Sequence, residues 1–293
     1  MNLEICNHCT FEIPLDCRHC PHCCYGLQCP NVRKANDPAE KQALERRYRF
    51  AVVDAAARGA STVVQEFQNR VLAAKVVMGI PIKKLLPIAN RSQDLFASYY
   101  DLMELKFLSQ SSGPIDFNTR RPQAEIELMG THKHLREIYY ACLSIDGNSL
   151  PHYEECTVWL AEKMISHRAS LLSENSAVAY HRDHELTLGH RAIWPDRAKL
   201  CVAKLASALS PAVQSSQFAK LLMNPGPTAI DDEFVEVQVL GDMTIRTAER
   251  VEIRSPKTNN PSNAKRSRSR RGSKDEILIR DYCGQQGVPC EIM

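Results

Sequence analysis

The amino-acid sequence predicts an α+β protein. It divides into a small N-terminal metal module (residues 1–30), a helical segment (37–108), a mixed α+β domain (109–255), a basic linker (256–274) and a short ordered tail (275–293). Three observations predict this. Two Cys-x-x-Cys knuckles, Cys6-Asn-His-Cys9 and Cys20-Pro-His-Cys23, lie ten residues apart at the start of the chain. Apolar residues recur at helical spacing from Asp37 onward. Beyond Gly113-Pro114, short strand-like and helical runs alternate without the regular βαβ spacing of a doubly wound sheet.

Composition narrows the class. The 293 residues have room for one large or two ordinary domains beside the module. A content of 44% apolar and 24% charged residues is that of a globular protein. No run of eighteen apolar residues occurs, so no membrane span is expected. Met1–Ile5 show no basic region followed by an apolar one, so no secretory signal is expected and a cytoplasmic location follows. That bears on the cysteines, seven of which precede Asn31. Without export they read as reduced metal ligands and not as a disulfide framework. The net charge of +3 is too small to argue for nucleic acid by itself.

Each knuckle is a tight turn that presents two sulfurs at about 2.3 Å to one Zn²⁺, so Cys6, Cys9, Cys20 and Cys23 are the predicted ligands. The run Thr10–Asp16 between them, alternating into Pro14, reads as a short hairpin. The stretch resembles zinc ribbons, whose usual second knuckle is Cys-Pro-His-Cys, over about the first 25 residues. Cys24 departs from that pattern, standing where ribbons normally place a glycine. Cys17-Arg-His-Cys20 is a competing knuckle, and Cys17, Cys24 and Cys29 are left over as either a second partial site or spare thiols. Four thiolates leave no open coordination position, so this metal is expected to be structural.

Asp37-Pro38-Ala39-Glu40 has the form of a helix start, with Asp as N-cap and Pro at the first helical position. Leu44, Tyr48, Ala51, Val52 and Ala55 then line one face, ending near Gly59. A second helix is expected from Ser61, carrying Val64, Phe67, Val71, Ala74 and Met78 and closed by Gly79 and Pro81. A third is expected from Leu95 through Leu105, with Phe96, Tyr99, Tyr100 and Met103 as a packing stripe.

In the α+β region, Ala124–Leu128 alternates and reads as a strand, and Glu137–Ile145 is a fuller one ended by Asp146-Gly147-Asn148. Cys156–Leu160 is another, leading into a short helix over 161–166. A helix is expected over Pro195–Leu209, followed by strands at Glu233–Leu240 and Arg250–Ile253. The stretch 257–274, with Lys265–Arg271 as its basic centre, has almost no apolar residue and is expected to be disordered. Such an arm can pair with phosphates or serve as a solvated tether.

No Walker loop, Gly-x-Gly-x-x-Gly, His-Glu-x-x-His or Gly-x-Ser-x-Gly occurs, and His184-Glu185 does not complete a deaminase signature. His167-Arg168-Ala-Ser170 with Glu174-Asn175-Ser176 could line a phosphate-bearing ligand or form a local polar loop. His181 and His184 could meet on a helix face but lack a third ligand.

The run Phe234-Val-Glu-Val-Gln-Val-Leu-Gly-Asp-Met-Thr-Ile-Arg-Thr-Ala-Glu-Arg-Val-Glu-Ile253 resembles the ADP-ribosyltransferase fold of bacterial toxin and defence proteins. In that family a late strand carries the catalytic acid, followed by a Gly turn and a last strand. The resemblance covers about half the chain in fragments. It implies an ADP-ribosyltransferase-like domain using NAD, acting on nucleic acid or protein, with a neutralising or regulatory partner. Glu236 matches the catalytic acid, and Gln238 stands where many members have a second acid. Tyr139–Gly147 and His152-Tyr153 are similar to the elements that hold the nicotinamide. His132 and Arg136 are the nearest candidates to open the NAD pocket.

Cleavage of a nicotinamide–ribose bond passes through a cationic state that a carboxylate stabilises. Strand alternation puts Glu236 and Gln238 on one face, with Val235, Val237 and Val239 on the other. The alternative is a non-enzymatic adaptor, in which the zinc module and the basic arm bind nucleic acid or a protein on an α+β scaffold.

Overall fold

The computed structural model describes residues 3–92, 95–104, 117–129, 133–153, 155–183, 185–254 and 273–293. The metal module holds β1 (Leu3–Ile5) and β2 (Glu12–Pro14), and α1 (Pro30–Ala35) leads out of it. Next come α2 (Pro38–Ala57), α3 (Ser61–Leu72), β3 (Lys75–Ile80), α4 (Ile82–Ala89), α5 (Tyr99–Glu104) and α6 (Phe117–Met129). The middle of the chain forms β4 (Ile138–Ser144), β5 (Cys156–Leu160), α7 (Glu162–Ile165), β6 (Ala169–Leu172), α8 (Ser176–Asp183) and β7 (Arg191–Ile193). Then follow α9 (Arg197–Leu205), α10 (Phe218–Leu222), β8 (Glu236–Leu240), β9 (Ala248–Ile253), α11 (Lys274–Gln285) and β10 (Cys290–Ile292). No described helix is long and apolar enough to cross a membrane.

One eight-stranded sheet, ordered β10-β9-β5-β3-β4-β8-β6-β7, organises the body. Its neighbours are antiparallel except β10, which runs parallel to β9 at the edge. The fold is mixed α+β as expected, but the boundary expected near residue 109 does not divide the sheet. β3, from the stretch read as purely helical, is inserted between β4 and β5.

The helix expected from Ser61 to Gly79 therefore stops at Leu72. Val64, Phe67 and Val71 do face the core, but Ala74 and Met78 continue the helical spacing only by coincidence. Lys75-Val-Val-Met-Gly-Ile is β-branched and closely packed on both sides, with Val76 at 2% and Val77 at 0% exposure. Two further expectations are corrected. Ala124–Leu128 lies inside α6, and the helix expected over Leu95–Leu105 starts only at Tyr99 as the shorter α5, preceded by a helix not expected from the sequence, α4, which tolerates Pro87. Residues 105–110 lie outside the described set, as do 255–272, which contain nearly all of the expected linker. Its last two residues, Ser273 and Lys274, instead start α11, where Ser273 and Glu276 form a capping box.

The two faces of the sheet differ in chemistry. One carries Val76, Met78, Ala141, Leu143, Val158, Leu160, Leu171, Val237, Val239 and Val251, all in a single apolar cluster with Phe67, Leu85, Leu200, Phe218 and Ile279 from α3, α4, α9, α10 and α11. The other face is polar at its centre. There β4, β6 and β8 present Tyr140, Cys142, Ser170, Glu236 and Gln238, with Ile138, Leu172 and Leu240 packing under α6 and α8. A buried ion pair ties α2 to β7: Arg191 Nε lies 3.0 Å from Glu40 Oε1, and the Gly189 N–H donates to Glu40 Oε2 at 2.6 Å.

Candidate functional site

The sulfurs of Cys6, Cys9, Cys20 and Cys23 all lie within 4.8 Å of one another. Cys6 and Cys23 Sγ are 3.8 Å apart, and Cys9 and Cys20 Sγ 3.6 Å. An ion bound about 2.3 Å from four sulfurs at tetrahedral corners would put neighbouring sulfurs roughly 3.8 Å apart, so the cluster fits zinc. A disulfide needs about 2.05 Å, and all twelve cysteines are free thiols. The competing pairing of Cys17 with Cys20 is not adopted. Nor do Cys17, Cys24 and Cys29 form a second cluster among the described residues.

The two knuckles repeat each other. In each, the N–H of the residue after the second cysteine donates to the carbonyl of the first (Thr10 to Cys6 and Cys24 to Cys20, both 2.8 Å). The first cysteine's own N–H donates to the carbonyl five residues on, Phe11 or Tyr25, at 2.9 Å in both. Thr10 and Cys24 take the left-handed conformation, φ +61° and +58°, that favours glycine. Each costs about 1 kcal/mol, which accounts for the ribbon preference from which Cys24 departs. The repeat extends to the rings: His8 stacks on Tyr25 at 5.0 Å, and His22 on Phe11 at 5.1 Å. The underlying pattern, Cys-x-His-Cys-x-aromatic at 6–11 and again at 20–25, is visible in the sequence once the histidines are counted. The hairpin is placed differently from expectation. β2 pairs back with β1 around the first knuckle and does not fold within the inter-knuckle loop.

Arg33 on α1 seats the module. Its guanidinium pairs with Glu4 and donates to the carbonyls of Leu15 and Cys17, the latter at 3.0 Å. Glu137 of the body pairs with the module's Arg18, while His134 meets the Asp16 carbonyl and Lys133 its carboxylate, which that hydrogen bond holds below its usual range. Arg33→Ala strands two carbonyls and a carboxylate, a loss of about 2–4 kcal/mol in docking. Amide exchange should then quicken across residues 3–27 with little change in the sheet; unchanged exchange there would contradict this seating.

The second constellation lies on the polar sheet face. Glu236, 3% exposed, accepts from Gln238 Nε2 at 2.6 Å and from the Ser176 N–H, at the start of α8, at 3.3 Å. Gln238 Oε1 accepts from Ser170 Oγ at 3.0 Å. Asn31 of α1 donates to Ser170 Oγ and to the carbonyls of Arg168 and Gln238. Beside them Glu125 of α6 accepts from the hydroxyls of Tyr140, at 2.5 Å, and Tyr100. Glu236 is thus an enclosed carboxylate at a helix N-terminus, where negative charge is favoured, and not a solvated residue on a half-open strand. Across β4, burial pushes the Cys142 thiol up, helped by the nearby carboxylates of Glu236 and Asp232.

The other candidates separate. Arg136 precedes β4 at the Leu240 end, 3.9 Å from Asp101, whereas Glu236 pairs with Cys142, four residues beyond the Ile138 that faces Leu240. That puts Arg136 roughly 13 Å or more along the strands from the acid. His132 and His184 lie outside the described residues, as do the side chains of Tyr153 and His181. Tyr153 itself ends the turn Pro151–Tyr153. The expected phosphate pocket disperses: Arg168 donates to the carbonyls of Met164, Leu240 and Asp242, and Arg182 takes Glu174. Only Ser170 and Ser176 from that set reach Glu236 and Gln238. Sequence reasoning missed Asn31 and Glu125, two buried polar groups whose role depends on what packs above the sheet. A cavity of about 430 Å³ between α4 and the start of α11, lined by Lys83, Glu155, Ser273 and Asp275 among others, holds none of these residues.

Comparison with known protein families and with curated proteins finds no match to this chain.

Proposed function

We propose that this protein is an ADP-ribosyltransferase-like enzyme in which Glu236 acts on the ribose of NAD and a zinc-bound N-terminal module, held by Cys6, Cys9, Cys20 and Cys23, docks the target. The observation that carries the reading is the burial of Glu236 and Gln238 side by side on an internal strand. Enclosing a carboxylate costs several kcal/mol unless hydrogen bonds offset it, and here those bonds also fix its direction. A carboxylate held beside an amide can orient ribose hydroxyls and stabilise the cationic state as the nicotinamide leaves.

The reading is tested by titrating the zinc-loaded chain with NAD⁺ and following nicotinamide release in the presence of nucleic acid or protein acceptors. Saturable binding with release supports it; neither binding nor release ends it.

A second reading, the non-enzymatic adaptor, is favoured by the surface of the module. Leu3, Ile5, Phe11 and Tyr25 are 47–54% exposed on a fold of about 25 residues, more apolar surface than a free tether needs. The same titration separates the two, because an adaptor leaves NAD⁺ unchanged.

A further inference from the structure

We infer that His152 takes the proton from the incoming nucleophile in the reaction assigned to Glu236, an inference that rests on that reading. The Asp232 carboxylate, with a side-chain exposure of 0%, lies 3.0 and 3.2 Å from His152 Nδ1. It also accepts the Gly226 N–H at 2.9 Å. A carboxylate on Nδ1 fixes the tautomer and the ring's direction, leaving the Nε2 lone pair as the accepting position. The His152 side chain is 29% exposed, so the imidazole is held from its buried side and open on the other.

The support is rigid. Asn224 and Glu233 exchange backbone hydrogen bonds at 2.7 and 3.0 Å, which hold the loop without help from the imidazole. Asp232 and Phe234 precede Glu236, the first residue of β8, in steps of two. Phe234 packs with Leu150, Met223 and Cys142 between the two acids. The two acids are therefore separated by at most about 13 Å of backbone. That separation lets the two groups attend to different atoms of one bound pair, donor ribose and acceptor.

The step balances. The ribose C1′–nicotinamide bond breaks, with its electron pair going to the nicotinamide nitrogen. The acceptor's oxygen or nitrogen bonds to C1′, and its proton passes to His152 Nε2 and then to solvent. No oxidant or reductant is required.

The experiment measures nicotinamide release by the full zinc-loaded chain, with NAD⁺ as donor and water as nucleophile. His152→Gln is expected to lower kcat roughly 100-fold while KM for NAD⁺ stays within about twofold. His152→Ala should regain part of its rate on addition of free imidazole, which a merely structural histidine would not allow. A His152→Gln chain with unchanged kcat, or a loss confined to KM with no imidazole rescue, overturns the inference. Absence of release by the unaltered chain overturns the Glu236 reading and this inference together, and is told apart by needing no variant.

Discussion

Chelation is expected to remove one zinc ion per chain and to unfold residues 3–27, while the eight-stranded sheet survives. The module's own core consists of Cys6, Ile13 and Cys20, with Cys9, Cys23 and Leu27 packed against them, so four of its six members are the proposed ligands. Two apolar side chains cannot offset the ordering of some 25 residues. In small zinc domains the metal supplies about 10–16 kcal/mol, and here it has almost no competitor. Because the ligands bind as thiolates, lowering the pH should release the ion as well. Elemental analysis with amide exchange over 3–27 reads the effect. Cys6→Ser or Cys20→Ser should empty the site, whereas Cys17→Ser or Cys24→Ser should leave it filled. Zinc-free protein that keeps its protection in this region would refute the assignment.

Glu236→Gln is the second large effect: turnover of NAD⁺ should fall at least 100-fold, on the order of losing one electrostatic stabiliser of a charged transition state. The variant keeps the shape, but one of its two polar atoms becomes a donor. Either the Ser176 N–H or the Gln238 amide then loses its acceptor, a cost of about 1–3 kcal/mol in stability. The two consequences are separable by comparing melting temperature with rate at a temperature where both proteins are folded. A variant that is only less stable, with its rate per folded molecule intact, would make Glu236 a structural residue.

Much of the module was legible beforehand because metal chemistry is local. Spacing within Cys-x-x-Cys decides which sulfurs can share an ion, and only the choice between Cys17 and Cys23 as partner of Cys20 needed coordinates. Strands β4, β5 and β9 were also close to expectation, since turn residues and β-branched runs bound them. β3 was not. Val64, Phe67, Val71, Ala74 and Met78 satisfy a helical period, and the preference of Val76 and Val77 for a strand prevails only because β4 and β5 lie on either side to complete the hydrogen bonds.

By itself, then, the sequence determined the sulfur cluster, the mixed α+β class and the side of β8 on which Glu236 and Gln238 stand, because each follows from spacing along a few consecutive residues. Tertiary structure decided that Glu236 is enclosed, that Arg136 is kept away from it, and that Ser176, Ser170 and Asn31 complete its polar surroundings. Those contacts join residues up to 207 positions apart, as between Asn31 and Gln238, and no local period encodes which of them meet.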